Sequence, residues 1–104
     1  MTNFVFAYRG GSGMATTPEA QEKTMAVWGA WFGTIGADLV EGGSPFGAAG
    51  TVHPDGSSTD GAAAGLTGYS VVRATDLSAA TALAKGCPLL ADGGTVEVYE
   101  ALPM

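Results

Sequence analysis

Gly68-Tyr69-Ser70-Val71-Val72-Arg73-Ala74-Thr75-Asp76-Leu77, then Gly86-Cys87-Pro88, Gly93-Gly94 and Thr95-Val96-Glu97-Val98-Tyr99, reads as strand, capped helix, Cys-Pro break, Gly-Gly turn and final strand. Side chains alternate across a strand, so between Thr67 and Ala74 the residues Tyr69, Val71 and Arg73 share one face while Ser70 and Val72 share the other. Thr75-Asp76 supplies the short polar side chain that caps a helix start, and Leu77, Ala80, Leu83 and Ala84 then fall on one helical face. Gly86 and Pro88 stop that helix, and Thr95 to Leu102 forms the last strand.

Working back from this stretch, Phe4-Val5-Phe6-Ala7-Tyr8 is aromatic and β-branched with apolar residues on both alternating faces, which predicts a strand covered on both sides. Gly10-Gly11-Ser12-Gly13 breaks it. Thr16-Thr17-Pro18-Glu19 has the hydroxyl, early proline and early carboxylate of a helix start. Met25, Trp28, Phe32 and Ile35 then mark one helical stripe, widened by Val27 and Trp31, and Gly36 ends it. Asp38-Leu39-Val40-Glu41 is a short strand. From Gly42 to Gly65 the chain turns to Gly, Ala, Ser and Asp without periodicity, and reads as a hairpin with a long mobile tip, Ala48 to His53 pairing and Pro54-Asp55-Gly56 turning.

The resulting order β-α-β-β-α-β is the α+β, ferredoxin-like plan: a four-stranded antiparallel sheet with two helices on one face. Two helices cover only one side, so the apolar residues on the far side of the first strand need a partner. A second copy of the chain is the simplest one, and a homodimer is expected on this ground alone.

From Gly68 to Val98 the Gly-Tyr strand start, the helix opening Asp76-Leu77, the Cys87-Pro88 pair and Gly94-Thr95-Val96-Glu97-Val98 fall in the order of the YCII-related (DGPF-type) family, which the chain resembles over nearly its whole length. Gly36 through Pro45 is a weaker match to that family's second strand. The resemblance implies a single domain over residues 1–104, built as a dimeric α/β barrel whose two sheets face each other around a small cavity. Two departures accompany it. Asp60-Gly61 is followed by Ala62-Ala63 where many members read Asp-Gly-Pro-Phe. Glu19-Ala20-Gln21 and Cys87 stand where some members place a His and an Asp proposed to act in catalysis, so no catalytic residue carries over.

At 104 residues the chain fits one domain. A domain of this size buries roughly 65% of its unfolded surface, a core that dimerisation would enlarge. Four Lys and Arg stand against ten Asp and Glu, a net charge of −6, which argues against nucleic acid because phosphate binding needs a cationic stripe. One cysteine excludes an intrachain disulfide. One His with scattered carboxylates lacks metal-ligand spacing, and no cofactor is expected. Met1-Thr2-Asn3-Phe4-Val5 lacks the form of a secretory signal, and no window approaches the ~20 apolar residues of a membrane span, so cytoplasmic residence is the expectation.

His53 is the single side chain with an unperturbed pKa near neutrality, and Asp55 two residues on could orient it as an acid–base pair for elimination or another cofactor-free proton transfer, lyase-type chemistry. The plainer reading is a solvated His in a turn. Tyr8, Arg9, Tyr69, Arg73 and Tyr99 on strands, with Trp31 on the flank of its helix, are the candidate lining of a mostly apolar pocket. Arginine there would suit a small organic acid, and the aromatic rings a flat ligand. Gly11-Ser12-Gly13 lacks the Lys and the prompt helix start of a phosphate loop. Cys87, at a helix end whose dipole opposes a thiolate, reads as a packed thiol. The rival to a ligand-binding role is a noncatalytic protein-interaction module.

Overall fold

Strand β1 runs Thr2–Arg9 and takes the centre of the sheet because both of its neighbours pair with it along most of its length. These elements come from a computed structural model that describes residues 1–11 and 16–103. Ser12 and Gly13 of the glycine-rich turn lie outside the described residues. Helix α1 (Pro18–Ile35) starts where Thr17, in extended conformation, accepts a hydrogen bond from the Ala20 amide, with Pro18 at the first helical position. It ends at Gly36, whose φ of 64° terminates it. A 3₁₀ turn (Gly36–Asp38) leads into β2 (Leu39–Glu41), and β5 (Leu66–Ala74) follows after the long excursion. Asp76 caps α2 (Leu77–Ala84) by accepting from the Ala79 amide at 2.8 Å, and β6 (Thr95–Glu100) closes the chain.

The order across the sheet is β2-β5-β1-β6, every pairing antiparallel. This is an α+β architecture compatible with a ferredoxin-like plan. Phe4, Phe6 and Tyr8 of β1 and Ser70, Val72 and Ala74 of β5 point to one side, where Trp31 and Ile35 of α1 and Ala80 and Ala84 of α2 close over them. Phe6 stacks on Trp31 with ring centroids 6.0 Å apart, and Trp28 meets both Tyr8 and Trp31 edge-on.

Two details differ from the sequence reading. The buried stripe of α1 is centred on Trp28, Trp31 and Ile35, while Met25 stands 75% exposed. Pro88 both ends the α2 region and begins a four-residue helix, α3 (Pro88–Ala91), because its fixed φ and missing amide suit a first helical position as well as a stop.

The Gly42–Gly65 excursion is a hairpin, as its turn signal predicts. Strands β3 (Gly50–Val52) and β4 (Ser58–Asp60) pair with each other in a separate two-stranded sheet, and the Gly56 amide donates to His53 O across the turn. It joins the main sheet at its base, where Pro45 bridges to Gly68 and the Phe46 amide donates to Thr67 O. Gly43, at φ 77°, sits so close to β5 that a Cβ there would overlap the Tyr69 carbonyl.

Candidate functional site

The register of the sheet decides which candidate residues meet. Ala7 pairs with Tyr69 and Glu97, Val5 with Val71 and Tyr99, and Asn3 with Arg73, so these side chains share the face away from the helices. The floor of that face is Val5, Ala7 and Val71, with Arg9, Tyr69, Arg73 and Tyr99 around it. Tyr99 is 53% exposed, and Phe46 from the base of the hairpin stacks on Tyr69 with centroids 5.8 Å apart.

Both arginines and Tyr69 on this face have intramolecular partners. The Arg9 guanidinium donates through Nε to Ala64 O at 2.8 Å and lies 3.7 Å from Glu97. Arg73 donates to Ala37 O and lies 3.8 Å from Asp38. Both ion pairs are solvent-accessible, so each contributes about 0–1 kcal/mol, and an incoming carboxylate could exchange with them at small cost. The Tyr69 hydroxyl donates to Glu41, which holds the phenol above its ordinary pKa because ionising it would remove that donor beside a carboxylate. Glu41, Glu97 and Phe46 are parts of the face that sequence reading missed. For Glu97 the signal was its place two residues before Tyr99 on one strand, which puts both side chains on the same face.

Tyr8 and Trp31, expected to line a pocket, stand on the helix side instead. Tyr8 is buried, donates from its hydroxyl to Ser70 Oγ at 2.7 Å, and has its phenol pushed far up by burial. Adjacent strand residues point to opposite faces, so Tyr8 and Arg9 cannot both face one cavity. Trp31 is 6% exposed and donates from Nε1 to Leu83 O at 3.1 Å, a bond that ties α1 to α2. It also borders an open groove of about 340 Å³ with Val27, Ala30, Thr34, Gly86 and Pro88. That groove carries no charged side chain, and the Thr34 hydroxyl is already donated to Trp31 O.

His53 and Asp55 are not joined. His53 is exposed at the end of β3, with Nε2 3.1 Å from Thr59 Oγ1. Asp55 accepts from both the hydroxyl and the amide of Ser57, which lowers its carboxyl pKa and commits it to its own turn. An Asp-x-Ser turn satisfies the carboxylate locally, so spacing of two residues did not translate into an oriented imidazole. Cys87 is buried, and burial pushes its thiol up, partly offset by the Leu89 backbone amide. Among the described residues, no three or more His, Cys, Asp or Glu side chains gather as a metal site, and no helix is long and apolar enough to cross a membrane. Comparison with protein-family models, curated proteins and solved structures returns no match to this chain.

Proposed function

We propose that the chain acts as a homodimer of the ferredoxin-like, dimeric α/β-barrel kind, similar to YCII-related proteins, and binds a small aromatic or carboxylic acid between the two sheets. The observation that carries this reading is the open face. Val5, Ala7 and Val71 form an apolar floor bordered by two arginines and two tyrosines, while both helices occupy the opposite side. The smallest dimension of the molecule, 20 Å, has room for one helix layer and one sheet, with no third layer over that floor. An apolar floor with a few placed polar groups is the usual composition of a small-molecule site. The two arginines of the chain both lie on this face, and a planar guanidinium pairs a carboxylate through two parallel hydrogen bonds.

Sedimentation velocity combined with fluorescence titration against salicylate and benzoate tests the reading. A dimer that binds these acids, with binding lost in Tyr99→Ala and Arg9→Met, is the expected result. A monomer, or a dimer that leaves both acids unbound at millimolar concentration, would overturn it; the latter outcome favours an interface that serves protein assembly alone.

A further inference from the structure

Between Ser44 and Thr67 every residue is exposed except the half-buried Thr51, and none belongs to the hydrophobic core. The segment is nonetheless regular. Gly50, Thr51 and Val52 pair with Asp60, Thr59 and Ser58, the Thr51 hydroxyl donates to Gly61 O at 2.6 Å, and the Gly61 amide donates to Ala49 O at 2.8 Å. A two-stranded ribbon without a third strand or a helix beneath it is marginal in water. Its overhang is visible in the dimensions. A 104-residue domain has an expected radius of gyration of about 13 Å, against 15.0 Å here, and the sheet spans about 19 Å across its four strands and about 30 Å along nine-residue β5, against long dimensions of 44 and 41 Å.

Both roots of the ribbon touch side chains of the open face. At its base Phe46 stacks on Tyr69 and the Arg9 guanidinium holds Ala64 O, both groups of that face. The open face alone has a flat footprint on the order of 400 Å², from about 19 Å of width and a mean strand length of roughly 20 Å. A stable interface buries about 800 Å² on each side. Two ribbons, one from each copy, would supply the missing area, and Val52, 75% exposed, gives each ribbon an apolar contact near its tip.

We propose that the β3–β4 ribbon is an exchanged arm: it crosses to a second copy of this chain and lies on that copy's open sheet face, carrying His53 with it. The inference rests on the homodimer reading above. Any ligand cleft between the sheets is then composite, with Tyr99 and Arg73 from one protomer and His53 from the other.

The test is sedimentation equilibrium on three full-length proteins: the wild type, Val52→Asp, and a variant in which residues 50–60 are replaced by Asn-Gly, closing the hairpin at the Ala49–Gly61 rung. Weakening of the dimer at least tenfold in both variants, with unchanged circular dichroism, is expected. A wild-type dimer matched in affinity by both variants would overturn the arm and leave the sheet-face dimer standing; a monomeric wild type would overturn both. A spin label on Ser58→Cys, mixed with unlabelled ¹⁵N protein, gives an independent readout, since buried Cys87 stays unlabelled. Broadening of the partner's Val5 and Val71 amides supports the crossing, and broadening confined to amides outside the open face overturns it.

Discussion

The Tyr8 hydroxyl donates to Ser70 Oγ at 2.7 Å, and the Ser70 hydroxyl donates in turn to Gly42 O at 2.7 Å, a relay that pins the start of the hairpin excursion to the centre of the sheet. The relay makes its two members unequal. Tyr8→Phe removes a donor and leaves Ser70 bound to Gly42 O, a loss of about 1 kcal/mol, whereas Ser70→Ala strands a buried phenol and costs about 1–3 kcal/mol. The double variant costs less than the sum, because the stranded hydroxyl is gone. Urea denaturation of the four proteins measures this coupling.

Two buried groups make stability decline in alkaline solution. Burial raises the pKa of both Tyr8 and Cys87 in the folded chain, so the folded state holds protons that the unfolded state releases. Their stabilising contribution is complete below the unfolded pKa values, about 8.5 for Cys and 10 for Tyr, and is lost as pH rises from there toward the folded values. Denaturation midpoints at pH 8, 9.5 and 11 are expected to fall in sequence. Cys87→Ala flattens the first step and Tyr8→Phe the second.

Two glycines at positive φ separate conformational strain from steric exclusion. Gly36→Ala, where a Cβ meets nothing within 4 Å, is expected to cost about 1–3 kcal/mol for its backbone conformation alone, φ 64° with ψ −129°. Gly43→Ala adds the overlap with the Tyr69 carbonyl and is expected to exceed about 3 kcal/mol, with loss of β2–β5 pairing. Thermal melts rank the pair, and amide exchange at Val71 and Val72 reports the pairing.

Acid acts locally on the arm. The Ser57 hydroxyl and amide hold the Asp55 carboxyl below the usual carboxylate range, so the turn is stabilised above the unfolded pKa and that contribution is lost as pH falls through the folded one. The Ser57 amide resonance is expected to shift as pH falls below about 4 while the Phe6 and Val72 amides stay fixed. A uniform shift across all three would contradict a local origin.

The strand and helix order was legible because local chemistry and periodicity agreed: Thr17 and Asp76 cap where they should, and Tyr69, Val71 and Arg73 do share a face apart from Ser70 and Val72. The side of β1 that meets the helices was not legible. Phe4, Phe6 and Tyr8 alternate with Val5 and Ala7, and hydrophobicity alone does not rank two apolar faces. The same degeneracy misassigned Tyr8 to a pocket. For Trp31, stripes through 25-28-32-35 and through 28-31-35 fit a 3.6-residue period comparably well, and only contact with Phe6 and Leu83 selects the second. Residues 42–65 gave turn chemistry but no periodicity, so the hairpin was readable and its projection from the domain was not.

Both tryptophans of the chain sit in α1, in ring contact with each other and with Phe32, and one of them is tethered to α2 through Leu83 O. Intrinsic emission is therefore a gauge of one event, the seating of that helix against β1 and α2. An unfolding curve followed by tryptophan fluorescence will be blind to fraying of the ribbon, whereas hydrogen exchange will see it, and disagreement between the two signals would measure how independently the ribbon melts.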